Sequence, residues 1–186
     1  MDSAQQTGIT PGIVTFVGAG PGDPDLMTIK GRKAIEQAAL VLYAGSLVPR
    51  EVVAYAAPNA MVVDSAPLNL EQCHALVRAT ALAGRSVARV HTGDPSLYGA
   101  LREQAALLDA DGIPWRVVPG VTAACAAAAA AYRLGLTDPK MFVQMPGGTL
   151  ELEIDGEGVV HMTGDVGYVG AVKLGSHFTE QLRALK

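Results

Sequence analysis

The residues of this chain that could do chemistry gather in four short stretches, each placed where an apolar run ends. Val90-His91-Thr92-Gly93-Asp94-Pro95-Ser96-Leu97-Tyr98-Gly99 follows the run 86–90 and precedes a helical pattern over 101–108. Strand, glycine turn, helix is how open α/β folds build ligand sites, at the carboxyl ends of parallel strands. Gly93 has no Cβ and lets a ligand come close to the backbone. Pro95 fixes one φ and removes one donor, which stiffens the loop. Asp94 or Ser96 can cap the helix that follows. A second glycine-proline loop, Gly18-Ala19-Gly20-Pro21-Gly22-Asp23-Pro24-Asp25, ends the first apolar run, and Gly45-Ser46 and Pro119-Gly120-Val121-Thr122 close two more.

These loops are poor phosphate cradles. A dinucleotide fingerprint needs Gly-x-Gly-x-x-Gly and a carboxylate at the end of the second strand. Here the glycines stand at 18, 20 and 22, the last one place early. Pro21 takes away a backbone N–H, and Tyr43-Ala44-Gly45-Ser46 offers no carboxylate to a ribose. No Gly-Lys-Ser/Thr follows the glycines, which excludes a P-loop. The single residues have plain readings too. Asp23 and Asp25 read as helix caps before proton carriers. Ser46 either hydrogen-bonds a substrate or finishes a turn. Tyr98 either touches a ligand or fills the core. His91 is the titratable neighbour of the key loop near neutral pH, although a lone strand histidine reads first as structure. Cys73, Cys125 and His74 read as helix residues without partners.

The elements that must carry these loops follow a regular rhythm. Strands are expected at 12–17, 40–44, 61–63, 86–90 and 115–118, with helices at 26–39, 49–56, 70–83, 97–110 and 121–134. Gly84, Gly112 and Gly135 close the last three helices. Five β-α repeats predict an α/β fold with a parallel five-stranded sheet and helices on both faces. Right-handed crossovers then put all four loops on one edge, in a shared crevice. After Pro139 the texture changes. Thr149-Leu150-Glu151-Leu152-Glu153-Ile154 alternates apolar and polar, and Val159-Val160-His161-Met162-Thr163 follows a glycine turn, which predicts a β-hairpin. Residues 141–145 read as a short strand and 177–186 as a short terminal helix. The expected organisation is a leader over 1–11, the α/β lobe over 12–138, and a short antiparallel β tail over 139–186.

Composition narrows the function further. With 186 residues and 49% apolar content, the chain can bury the core of one ordinary domain. Its net charge is −4 and it has no lysine-arginine block, so nucleic acid and an acidic membrane surface are not expected partners. Two distant cysteines in no metal spacing suit a reducing cytoplasm, both buried as small hydrophobes. The start of the chain has no apolar signal core, and the alanine-rich run 117–132 is too short to span a membrane.

The four blocks together carry a resemblance. Gly18-Ala19-Gly20-Pro21-Gly22-Asp23-Pro24-Asp25-Leu26-Met27-Thr28 with Gly31, Tyr43-Ala44-Gly45-Ser46-Leu47-Val48, Thr92-Gly93-Asp94-Pro95-Ser96-Leu97-Tyr98-Gly99 and Val118-Pro119-Gly120-Val121-Thr122 resemble the tetrapyrrole methyltransferases of cobalamin synthesis. The second block is most similar to the branch that methylates carbon 11 of precorrin-4 or cobalt-precorrin-4. Ala44 stands where uroporphyrinogen-directed relatives carry an aspartate. The resemblance covers 12–138 and implies S-adenosylmethionine (SAM) as methyl donor, held by Pro21, Gly93, Asp94, Pro95, Tyr98, Thr122 and Ala123. It implies a tetrapyrrole trough lined by the first loop, with Gly20, Asp23 and Ser46 on the substrate side, and a homodimer in the cytoplasm. The family carries a second lobe after the alanine-rich helix, which completes the SAM pocket. Residues 139–186 do not match it and faintly resemble the last strands of diaminopimelate epimerase. Three readings therefore stand open on the sequence: an active SAM-dependent methyltransferase, a silent lobe that binds a small molecule, and a rearranged fold without function.

Overall fold

A computed structural model describes residues 9–96, 101–145 and 148–164 of the chain. Tyr98 and the expected helix at 177–186 lie outside the described residues. The first body is the parallel sheet, made of β1 (Val14–Gly18), β2 (Leu40–Tyr43), β3 (Met61–Asp64), β4 (Val87–His91) and β5 (Trp115–Val118). Its order is β3-β2-β4-β1-β5 and every pairing is parallel. β1, β2 and all but the last residue of β4 are buried. Strands covered on both faces must be apolar at consecutive positions, which is why they read as β-branched runs.

Two helices cover each face. Val17, Val41, Tyr43, Ala88 and Val90 pack against α1 (Ile29–Glu36) and α2 (Arg50–Val53) through Ala34, Ile35, Val52 and Val53. Val14, Phe16, Leu40, Leu42 and Val87 pack on the other face against α3 (Leu70–Leu82) and α4 (Leu101–Ala110) through Cys73, Val77, Ala81 and Leu108. Each fully buried side chain of the size of Phe16, Ile35 or Leu42 contributes about 1.5–3 kcal/mol. From β1 the chain travels by α1 toward β2, whereas from β4 it travels by α4 in the opposite direction, toward β5. The strand order therefore reverses between β1 and β4, the place where such sheets open a crevice.

Several local expectations are corrected. The helix expected over 26–39 starts later, because two caps compete. Asp23 accepts the Asp25 N–H at 2.9 Å and caps a single 3-10 turn, Pro24–Leu26. Met27 and Thr28 then run extended, and the Thr28 hydroxyl accepts the Gly31 N–H at 3.1 Å to start α1. α3 opens with a capping box between Asn69 and Gln72 that the apolar pattern did not signal. His74 is not without a partner. Its Nε2 lies 2.8 Å from Asp111, which also accepts from Arg78, so a carboxylate after α4 is clamped to α3. Cys73 is buried as expected, but Cys125 is only half-buried, in the first turn of the last described helix.

That helix, α5 (Ala123–Arg133), packs against a second sheet. β6 (Lys140–Met145), β7 (Gly148–Ile154) and β8 (Val160–Gly164) form an antiparallel meander in the order β6-β7-β8. The expected hairpin is thus β7-β8, and β6 adds a third strand. Leu150, Leu152 and Ile154 are buried, while Glu151 pairs with Lys140 and Phe142 is 66% exposed. Among the described residues no helix is long and apolar enough to cross a membrane.

Candidate functional site

The carboxyl ends of β4, β1 and β5 are stitched together by main-chain atoms. Gly20 donates to the Gly93 carbonyl at 3.2 Å, and Gly93 donates back to Gly20 at 2.8 Å. Both glycines take positive φ, 74° and 61°, a region closed to most side chains. Ala19 N–H adds a bond to the His91 carbonyl at 2.7 Å. Gly18 and Gly120 pack backbone to backbone: a Cβ on Gly18 would sit 2.6 Å from both the Gly120 Cα and the Gly93 carbonyl oxygen. The Thr28 hydroxyl donates to the Pro119 carbonyl at 3.3 Å, which ties the start of α1 to the loop after β5.

The expected convergence on one edge holds for three loops: Gly20 and Gly93 bridge, Gly120 packs on Gly18, and Pro21, Asp94, Pro95 and Thr122 belong to these same loops, with Ala123 opening the helix after the third. Asp94 accepts the Ser96 N–H at 2.8 Å, so its carboxylate folds its own turn. Asp23 caps the 3-10 turn, also a structural role. Thr122 is the N-cap of α5 but makes no side-chain cap bond, which leaves the first N–H groups of α5 without a side-chain acceptor. Ser46 lies exposed in the turn 44–48, where Leu47 and Val48 both donate to the Ala44 carbonyl. Its loop follows β2, one strand beyond β4 on the same edge.

Beneath this edge lies a polar layer that sequence reasoning missed. Arg89 points from β4 into the α3–α4 face and is 9% exposed. Its Nε donates to Gln104 at 3.0 Å, and one terminal nitrogen donates to Ser65 Oγ at 3.0 Å and to the Leu42 carbonyl at 3.3 Å. Burial pushes the guanidinium below its ordinary pKa. Next to it, the ring of His91 stands 6.0 Å from that of Phe16, and its Nε2 is buried without a hydrogen-bond partner. Burial first, and then the Arg89 charge, lower the His91 pKa to about 3, so the imidazole is neutral at physiological pH. At the end of β3, Asp64 accepts the Gly45 and Ala66 N–H groups, both at 2.8 Å. Those two bonds, Ala66 before Gly45, hold its carboxyl below the ordinary carboxylate range. The signal for Asp64 was available, since it ends a strand at the same edge as the glycine loops. A cation in an otherwise apolar strand was likewise the mark of Arg89. Among the described residues no three His, Cys, Asp or Glu side chains are grouped to hold a metal ion.

Residues 14–143 match the family model of the tetrapyrrole (corrin/porphyrin) methylases. A precorrin-4 C(11)-methyltransferase of Mycobacterium tuberculosis is 51% identical over 129 residues, which cover 68% of this chain and 50% of that protein. A solved cobalt-precorrin-4 methyltransferase superposes with a TM-score of 0.62 at 42% identity, over 72% of this chain and 55% of that one. A uroporphyrin-III C-methyltransferase of Thermus thermophilus, solved with S-adenosylhomocysteine, gives a TM-score of 0.53 at 38% identity, over 62% of this chain and 48% of that one. The chain thus spans about half the length of these relatives. The matched region contains the whole parallel sheet and all three stitched loops, and on that ground the chain belongs to the tetrapyrrole (corrin/porphyrin) methylase family.

Proposed function

We propose that this protein transfers a methyl group from SAM to carbon 11 of precorrin-4 or cobalt-precorrin-4. The observation that carries the reading is the Gly20–Gly93 bridge at the switch point, with the loop to Thr122 packed against it through Gly120. A phosphate cradle is absent there and SAM has no phosphate. Backbone edges at Gly93, Asp94 and Pro95 suit an adenine and ribose held by main-chain groups, with Pro21 across the bridge. The spare Thr122 hydroxyl and the open N-terminus of α5 suit the carboxylate of an amino acid. Tyr98 and Ala123 belong to the same reading. SAM supplies a methyl already activated on a sulfonium. The chain's part is to hold donor and ring carbon in line, since alignment is worth most when no strong base is needed. Gly20, Asp23 and Ser46 line the tetrapyrrole side. Support also comes from the relatives, several of which are named for this reaction.

The test is calorimetric titration with S-adenosylhomocysteine, followed by a methyl-transfer assay on a precorrin substrate. Saturation at about 100 times Kd is expected to stabilise the fold by about 2.7 kcal/mol, visible as a higher Tm. Binding without turnover would leave only the silent-lobe reading, and no binding at millimolar ligand would remove both. The reading includes a cytoplasmic homodimer, carried over from the family resemblance. A clean monomer at high concentration in sedimentation overturns that part.

A further inference from the structure

We propose that Asp64 is the positioning residue for the tetrapyrrole-side turn at Gly45–Ser46, an inference that rests on the methyltransferase reading above. Three independent contacts point to it. Asp64 Oδ1 accepts both the Gly45 and the Ala66 N–H, so one oxygen ties the end of β2 to the loop after β3. The carboxylate lies directly over Gly45: a Cβ there would sit 2.7 Å from that same oxygen, with the other carboxylate oxygen and Cγ nearer still, so a side chain at 45 would push Asp64 off its bonds. The φ of Gly45 is not in the left-handed region, so the contact with Asp64 is what a side chain there would disturb. The clasp is also braced from below. Ser65 donates its N–H and its hydroxyl to the Tyr43 carbonyl at 2.7 and 3.0 Å, and Arg89 donates to Ser65 Oγ and the Leu42 carbonyl. Buried β4 thus fixes Ser65, Ser65 fixes the end of β2, and Asp64 fixes the turn that follows. Asp64, Gly45 and Ser46 are themselves exposed, on the edge to which the reading above assigns the ligands. The clasp joins the ends of β2 and β3, one strand beyond the Gly20–Gly93 bridge, so its expected effect falls on the macrocycle side.

The experiment compares Asp64→Ala and Asp64→Asn in the full chain. Asn keeps an oxygen in the Oδ1 position and loses the charge; Ala loses both acceptor bonds. The readouts are hydrogen exchange of the Gly45 amide, S-adenosylhomocysteine affinity, and KM and kcat for the precorrin. For Asp64→Ala the expected result is lost Gly45 protection and a KM for the tetrapyrrole raised about tenfold, the weight of one hydrogen bond. S-adenosylhomocysteine affinity and kcat stay unchanged, and Asp64→Asn restores both protection and KM. An unchanged tetrapyrrole KM in Asp64→Ala overturns the proposal. So does an Asp64→Asn variant that protects Gly45 yet keeps the raised KM, because the second oxygen would then be touching substrate directly. A wild-type chain that binds no S-adenosylhomocysteine and methylates no precorrin overturns the parent reading instead.

Discussion

A methyl group added at Gly120 has no rotamer to escape into. Its neighbours would be the Gly93 carbonyl oxygen and the Gly18 carbonyl carbon and Cα, the last two at 2.7 and 2.8 Å. All are main-chain atoms of β1 and of the loop after β4, so the backbones themselves must part. Gly120→Ala is expected to cost about 1–3 kcal/mol of stability and to weaken S-adenosylhomocysteine binding, both read by ligand titration and urea unfolding. His91 carries a second prediction at this scale, and its sign is fixed by its depressed pKa of about 3. Above about pH 6.5 the ring is neutral in both states and contributes no slope. Below that the unfolded chain takes a proton that the fold refuses, so stability falls as pH falls, until about pH 3. The slope is about 1.4 kcal/mol per pH unit, or about 2 kcal/mol by pH 5. His91→Leu removes the titrating group and its unpartnered nitrogen. Urea unfolding at pH 7 and pH 5 should show the wild type losing that increment and the variant keeping it.

Elements were legible wherever burial wrote itself into the sequence. β1, β2 and β4 are covered on both faces and had to be β-branched and apolar, so they were visible at once. The start of α1 was not, because Asp23 and Thr28 are both good caps and only the extended backbone at Met27 and Thr28 decides between them. The glycine loops of the site were legible because each ends an apolar run, two of them buried strands and one the edge strand β5. Asp64 and Arg89 left only a mark of residue type, a carboxylate at a strand end and a cation in an apolar strand; their roles were not legible, because the partners Gly45, Gln104 and Ser65 stand fifteen or more residues away, which spacing does not encode. α3 separates the two kinds of information well. Its pattern of Cys73, Val77 and Ala81 was readable, its capping box was not. Asn69→Ala removes the acceptor of the Gln72 N–H and is expected to cost about 1 kcal/mol in urea unfolding. α3 begins beside the edge strand β3, two strands from the Gly20–Gly93 bridge, so S-adenosylhomocysteine affinity should be unchanged. A fall in affinity with Asn69→Ala would mean that the cap also organises the crevice.

At the scale of the whole molecule, the two sheets are unequally protected. The parallel sheet has helices on both faces and shields its central strands completely. Among the described residues the meander β6-β7-β8 has α5 on one side, and the other side carries Lys140, Glu151, Glu153 and the exposed ring of Phe142. Its own core rests on Leu150, Leu152 and Ile154 against Ala124 and Ala128, too small a set to match the sheet that precedes it. Hydrogen exchange should therefore open the meander first: amides of Leu152 and Glu153 exchange faster than those of Phe16 and Val90. Leu152→Ala sharpens the test. Truncating a fully buried leucine leaves a cavity and costs about 2–5 kcal/mol where the site cannot collapse. That loss should erase protection across β7 while leaving Phe16 and Val90 protected. The fluorescence of Trp115, which packs edge-on against Phe16 at 5.9 Å in the parallel sheet, should keep its urea midpoint. Because α5 follows directly on the loop packed against the Gly20–Gly93 bridge and contacts the meander, S-adenosylhomocysteine affinity should nevertheless fall in this variant. Equal losses of protection in both sheets would mean instead that the molecule unfolds as one cooperative unit.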